Sequence, residues 1–212
     1  MTEQHSPPEE MATPESPDET GPNYKVVVVV LENFQGRKWE LTDESPNVTE
    51  KAIHKVGSIL VEAGPWVGFE RQAYGGAQFV LEVGAFPCWD SWSNGHTGGG
   101  TLLSIRPLLI DGADHKIHLF EGAGYGGQKM EIVEDDVPSL WAHGFHDRVA
   151  SVKALHGIWV GYEFPGYRGW QYIFEKGEYC HWNEWDASQP LMQSMRRVRD
   201  KQWHKRGCFE ES

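Results

Sequence analysis

The chain has 212 residues, of which 39% are hydrophobic, and its 19 Lys and Arg against 31 Asp and Glu give a formal net charge of −12. An acidic balance argues against nucleic-acid binding, which needs a basic footprint on the protein. No apolar run approaches the ~18 residues of a membrane helix, so we expect a soluble globular protein with no membrane partner.

Cysteine usage points to a reducing compartment. The three cysteines, Cys88, Cys180 and Cys208, are odd in number, far apart and without a CxxC pair. They predict neither a disulfide framework nor a zinc site. With no signal-peptide pattern at the N-terminus, the cytoplasm is the expected location.

The first element is an acidic arm, residues 1–23. It holds six acidic residues and no Lys or Arg, a charge of −6, and is rich in Pro, Glu, Ser and Thr. Such a composition cannot offset the entropy of ordering, so we expect a disordered arm. A short tail, 205–212, closes the chain after a basic run at 196–206. That run reads as a solvated strand face, with a local anion patch as the alternative.

Between the arm and the tail the chain is duplicated. Residues 65–92 align without gaps on residues 158–185, at an offset of 93, and place Trp66 on Trp159 and Gly76 on Gly169. Self-similarity at a fixed period indicates repeated structural units. We therefore predict domains at 24–108 and 115–204, joined by a linker at 109–114.

Each half contains a second duplication. The pattern is an aromatic residue, four residues, a second aromatic, any residue and glycine, followed 22 to 28 residues later by a serine in an apolar setting. In the first copy Val29 replaces the leading aromatic. The four units are 24–64, 65–108, 115–157 and 158–204. Their glycines are Gly36, Gly76, Gly127 and Gly169, and their serines are Ser58, Ser104, Ser151 and Ser194.

Short strands are expected within these units. Residues 116–121 and 171–175 alternate between polar and apolar side chains, and the apolar run 26–31 has the length of a strand. Residues 137–141 predict one helical turn, since Pro138 is tolerated there. Many short strands with 24 glycines favour antiparallel sandwiches.

The repeated glycine and serine suit a hairpin folded over its own sheet. Such a fold needs a residue at positive φ, which glycine adopts without steric penalty. The second aromatic can pack across the fold, and the serine hydroxyl can satisfy backbone groups that the hairpin leaves unpaired. We predict these roles for the four glycines and the four serines.

These motifs resemble the beta/gamma-crystallins over about residues 24–207. The phrases GPWVGFE, SLWAHGF, GYEFPGYRG and HWNEWDASQP are similar to the basic group of vertebrate beta-crystallins, most of all its third subtype. The resemblance implies an all-β chain of two crystallin domains, each a Greek-key β-sandwich of two four-stranded antiparallel sheets. It also implies that four tryptophans lie in the domain cores: Trp66, Trp92, Trp159 and Trp185. The acidic sequence pI of about 5.2 departs from a group called basic.

Chemical alternatives have weaker support. Microbial members of the superfamily bind calcium through an acidic motif that ends at the repeated serines, but here only Asp147 matches its acidic positions. The pairs His115–His118 and His143–His146 lack a third metal ligand, and we find no enzyme motif. A glycan-binding sandwich is suggested by Trp39 and Trp170 if they are exposed. We expect no catalytic residue, metal, cofactor or small-molecule substrate.

The expected function is a structural constituent of the eye lens that contributes transparency and refractive index at high concentration. The alternative is a calcium-binding module. The resemblance implies lens fibre cytoplasm, and homo-oligomers and hetero-oligomers with other beta-crystallins, with no nucleic-acid or membrane partner. From peptide chemistry, Asn94-Gly95 is a site where deamidation is expected, because glycine leaves succinimide closure unhindered.

Overall fold

The computed structural model describes residues 23–51, 53, 55–96, 100–146 and 148–199. Residues 1–22, which are expected to be disordered, lie outside these ranges. So do the tail 205–212 and Asp147. The described chain forms antiparallel strands, one short helix and several 3-10 turns. The strands are β1 (Lys25–Val29), β2 (Lys38–Leu41), β3 (Ser58–Ala63), β4 (Trp66–Phe69), β5 (Gln78–Leu81), β6 (Gly84–Phe86), β7 (Ser104–Pro107), β8 (Lys116–Phe120), β9 (Lys129–Val133), β10 (Ser151–His156), β11 (Trp159–Phe164), β12 (Arg168–Phe174), β13 (Gly177–Tyr179) and β14 (Ser194–Arg197). The helix α1 is Asp90–Ser93.

Each half begins with a four-stranded sheet. Their strand orders are β2-β1-β3-β6 and β13-β10-β8-β9, in which corresponding strands occupy corresponding places. In each sheet one edge strand comes from the following unit: β6 pairs with β3, and β13 pairs with β10. The two units of each half therefore exchange a strand, as intercalated Greek keys do.

The remaining strands form one sheet of six, in the order β14-β11-β12-β5-β4-β7. Each half contributes three strands, and the two groups join where Gln171 of β12 pairs with Gln78 of β5. The predicted all-β fold class is confirmed. The fourth strand of each second sheet is reduced to a single bridge, Ser45 to Ile105 and Val137 to Met195.

Proline explains why these fourth strands are so short. Ser45 and Val137 are both followed by proline, which has no backbone N–H to continue a ladder. The bridge at Val137 also displaces the helical turn predicted over 137–141. A 3-10 turn lies at Trp141–His143 instead, because the backbone of Val137 is extended against Met195.

Two apolar cores fill the space between the sheets, one in each half. Trp66 and Trp159 are fully buried at their centres, and Trp92 and Trp185 retain 3% exposure at equivalent places. A third apolar cluster lies between the halves. No helix in the part of the chain that is described is long and apolar enough to cross a membrane.

Candidate functional site

The four repeated glycines all lie at folded hairpins with left-handed backbone. Their φ values are 88°, 77°, 73° and 83° in chain order. The aromatic residue two positions earlier is also left-handed in every unit, with φ between 61° and 64°; these residues are Phe34, Tyr74, Tyr125 and Tyr167. A bulky residue at positive φ is strained, so each hairpin needs contacts that hold it.

A buried serine supplies those contacts in each unit. Its hydroxyl accepts a hydrogen bond from the backbone N–H of the left-handed aromatic and donates one to the carbonyl of the residue three positions before that aromatic. The accepted bonds are Phe34 N to Ser58 at 2.9 Å, Tyr74 N to Ser104 at 3.0 Å, Tyr125 N to Ser151 at 2.9 Å and Tyr167 N to Ser194 at 3.1 Å. The donated bonds run to Leu31, Arg71, Gly122 and Phe164 at 2.5–2.6 Å. All four serines have 0% exposure. We call this glycine, aromatic and serine arrangement the hairpin lock.

Aromatic pairs cross three of the four locks. The leading and left-handed rings meet edge to face, with centroids 5.5 to 5.7 Å apart: Phe69–Tyr74, Phe120–Tyr125 and Tyr162–Tyr167. Edge-to-face pairs add about 0.5–1.5 kcal/mol beyond their buried area. The first lock has buried Val29 in place of the leading ring, and Leu31 lies against Gly36 instead.

Two glutamines, which the sequence analysis did not single out, form the centre of the face between the halves. The side-chain oxygen of Gln171 accepts from Val80 N at 2.9 Å, and that of Gln78 accepts from Ile173 N at 3.2 Å. The Gln171 amide also donates to the carbonyl of Trp92 at 3.1 Å. These glutamines replace strand-to-strand ladder bonds with side-chain bonds. The sequence does carry a sign of them: Gln78 and Gln171 are polar residues 93 positions apart, and each lies in an otherwise apolar strand.

Apolar side chains and two ion pairs surround the glutamines. The buried apolar set is Val67, Phe69, Val80, Leu108, Ile110, Ile158, Val160, Tyr162, Ile173 and Val198. Arg106 pairs with Glu175 at 2.5 Å, and Arg196 pairs with Glu82 at 2.7 Å. The two pairs are related by the duplication, so the face is built from one surface used twice.

The second of these ion pairs is the more enclosed. Arg196 and Glu82 expose 16% and 25% of their side chains, against 26% and 39% for Arg106 and Glu175. Burial alone would lower the pKa of Arg196, but Glu82 and the Tyr162 hydroxyl outweigh it and raise that pKa. The guanidinium is therefore a permanent charge whose partner must stay in place.

The tryptophans expected in the cores are buried there. The indole N–H of Trp66 donates to Ala63 O at 2.8 Å, and that of Trp159 donates to His156 O at 3.1 Å. Trp89 meets Trp92 edge to face at 5.6 Å, and Phe174 meets Trp185 in the same way at 5.2 Å. The indoles thus pack as core residues.

The structure brings no metal ligands together in the described ranges, where no three His, Cys, Asp or Glu side chains form a group able to hold an ion. His115 is buried, while His118 lies 2.7 Å from the Glu131 carboxylate. That hydrogen bond lowers the pKa of Glu131. His146 stacks edge-on against Trp141.

The two aromatics suggested for glycan binding differ in exposure. Trp170 is 40% exposed and meets His96 edge to face at 4.6 Å. Trp39 is only partly exposed and packs against the first core, so the exposure expected of it is not found.

Comparison with known proteins gives a consistent family. A family model described as Beta/Gamma crystallin matches residues 25–108 and 116–198. Beta-crystallin B3 of Gallus gallus is 70% identical and Beta-crystallin B3 of Bos taurus is 64% identical, each over 212 residues and the full length of both chains. Beta-crystallin B1 of Bos taurus is 53% identical over 187 residues, which are 88% of this chain and 74% of that protein.

Proposed function

The chain belongs to the beta/gamma-crystallin family, and we propose that it is a structural constituent of the eye lens rather than an enzyme. It contributes transparency and refractive index at high protein concentration. The observation that carries this proposal is the identity of 70% and 64% with beta-crystallin B3 over the full length of the chain. The resemblance read from the sequence is confirmed by the same matches.

The composition suits this role physically. The chain carries ten tryptophans, and aromatic residues are 12% of the total. Polarizable indole and guanidinium groups raise the refractive increment per gram, and indoles absorb ultraviolet light. Because the four core indoles also fill the apolar interior, the same side chains serve optics and stability.

We assign persistence of the fold to the hairpin locks. In a tissue where protein is not replaced, the rate of unfolding matters more than the equilibrium free energy. The two proposed domains, 24–108 and 115–204, each have two locks, and each lock ties distant strands together through a buried hydroxyl. In this proposal the glycines, serines and core tryptophans act by keeping the protein folded.

The optical role can be tested on the purified chain. We would measure the refractive increment, turbidity and static light scattering as concentration is raised. The expected result is a clear solution with a refractive increment above that of an average protein. Clouding of the folded chain at moderate concentration would contradict the proposal. Gly169→Ala, which disturbs one lock, is the destabilised comparison and should cloud earlier on storage.

We further propose that the chain associates with itself and with other beta-crystallins in the cytoplasm of lens fibre cells. The face between the halves is built from one surface used twice, so two chains that exchanged halves would form the same contacts. The described cysteines, Cys88 and Cys180, are free thiols, which suits a reducing compartment. Light scattering of the chain alone and mixed with a second beta-crystallin tests the association. Strict monomers in both samples would refute it.

A further inference from the structure

One asparagine side chain ties the two halves together at the end of α1. Asn94 follows the helix in a left-handed conformation, with φ 53° and ψ 39°. Its side-chain nitrogen donates to the carbonyl oxygens of Tyr167 at 3.0 Å and of Gly169 at 3.1 Å. Both acceptors belong to the fourth hairpin lock. The amide therefore donates both of its N–H groups to the other half of the molecule.

The residue after Asn94 makes this amide chemically labile. Gly95 is exposed, and a Cβ added there would meet nothing within 4 Å. In an Asn-Gly step the backbone nitrogen of glycine attacks the side-chain carbonyl carbon, a five-membered imide closes and ammonia leaves. Water then opens the imide to aspartate or isoaspartate. The reaction consumes one water and needs no other reactant.

We propose that Asn94-Gly95 is a one-way latch between the halves, protected while they are paired and unable to close again once it has been deamidated. Ring closure requires the side chain to turn towards the nitrogen of Gly95. In the paired state both of its hydrogen bonds hold it away, against Tyr167 and Gly169. Deamidation therefore proceeds from the fraction of molecules in which the halves have separated.

The product cannot remake the contact. A carboxylate has no N–H to donate, so its oxygens would face the two carbonyl oxygens of the hairpin. In the other half, the left-handed residue that ends the corresponding turn is an acid. Asp186 ends the last 3-10 turn with φ 62°, and it lines an open cleft of about 530 Å³ beside Gly76. Across the described residues its carboxylate makes no hydrogen bond to the second lock.

Two arginines near Asn94 could bind the new carboxylate, which is the alternative outcome of deamidation. Arg196 lies along the same groove as Asn94 but is engaged by Glu82 and by the Tyr162 hydroxyl at 3.0 Å. Arg168 stands between the two residues whose carbonyls accept from Asn94 and is exposed. If either guanidinium captured the new carboxylate, the halves would be held more tightly after deamidation.

Three substitutions test the release step. Asn94→Asp reproduces the product, and Asn94→Gly removes the bonds without adding charge in a conformation that glycine tolerates. Asn33→Asp is the matched control, because Asn33 is exposed and left-handed with φ 55°, and its hydrogen bonds to Pro87 and Gln35 stay within the first half.

The readout is hydrogen exchange at the amides of Val80 and Ile173, which bond across the face. Loss of two hydrogen bonds should speed exchange about tenfold or more in Asn94→Asp and less in Asn94→Gly. Asn33→Asp should leave it unchanged. Exchange in Asn94→Asp equal to that of Asn33→Asp, or slower than in the unaltered chain, would overturn the release step.

A second experiment tests the protection step. Mass spectrometry of tryptic peptides would follow the conversion of Asn94 in the folded chain, in guanidinium chloride and in Arg196→Ala. We expect conversion at least about tenfold slower in the folded chain than in denaturant, with Arg196→Ala in between. Equal rates in the folded and unfolded chains would overturn the proposed latch.

Discussion

Replacing Ser151 by alanine should unlock the third hairpin. The hydroxyl donates to Gly122 O at 2.6 Å and accepts from Tyr125 N at 2.9 Å, and Ser151 is fully buried. Alanine leaves one backbone donor and one acceptor unpaired. Each unpaired buried group costs about 1–3 kcal/mol. Because Gly122 and Tyr125 are only half-buried, we take the lower part of that range and expect a loss of about 2–4 kcal/mol from the second half.

Equilibrium unfolding in urea, followed by tryptophan fluorescence, measures this loss. The midpoint should fall while the slope stays constant, since the substitution changes stability and not the surface exposed on unfolding. For a domain of this size the same loss lowers the melting temperature by roughly 10–25 °C. A change in slope would instead indicate an altered compactness of the denatured or native state, or a loss of two-state unfolding.

Ser188→Ala is the matched control, since Ser188 is exposed and belongs to no lock. A surface substitution of this kind should stay within about 0.5 kcal/mol of the unaltered chain. If Ser151→Ala unfolds at the same urea concentration as Ser188→Ala, the hydroxyl does not hold the hairpin, and the assignment of stability to the locks is wrong.

Three further predictions concern the locks, the core and the face between the halves. Gly169→Ala should unfold at a lower urea concentration than Gly166→Ala. Both positions have positive φ, but only at Gly169 does the new Cβ meet a phenyl ring at 2.8 Å. Equal urea midpoints would contradict the steric argument. Burial raises the pKa of Tyr172 to about 12, above the 10 of an exposed tyrosine. The neutral Tyr172 side chain therefore contributes fully to the free energy of unfolding below pH 10, and this contribution is lost as pH rises towards 12. Tyr172→Phe should therefore flatten the alkaline decline in urea midpoint, and an unchanged profile would count against this origin. Arg196→Ala should lower the free energy of unfolding by about 2–4 kcal/mol, and Arg106→Ala by about 1 kcal/mol or less, because the Arg196 pair is the more enclosed. The reverse order of losses in urea unfolding would refute the comparison.

The locks show which parts of this fold can be read from a sequence. Positive φ selects glycine, and a buried hydroxyl bonded to backbone selects serine, so both requirements leave a residue at a fixed place in each unit. The replacement of the leading aromatic by Val29 was visible in the sequence, and its lock has no ring pair. These are local rules, and they act within one hairpin and the strand that covers it.

The face between the halves depends on information that local rules do not carry. Alternation predicts that Gln171 lies in a strand, but not that its side chain bonds the backbone of a strand from the other half. The same limit applies to Asn94, whose lability follows from its neighbour while its bonds to Tyr167 and Gly169 follow from the docking of two domains. The turn predicted over 137–141 is displaced for a similar reason, because Val137 pairs with a distant strand and the turn lies at Trp141–His143.

The two single bridges at Ser45 and Val137 have a consequence for how this protein tolerates crowding. They cover β7 and β14, the outermost strands of the six-stranded sheet, and each exchanges two backbone bonds of 2.8 and 3.0 Å with its strand. An uncovered border strand is a template on which another molecule can extend the sheet. The proline after each bridge residue, which keeps the covering segment short, also denies a newcomer the next amide donor. Fibril growth from this sheet would first require one of these covers to be peeled away.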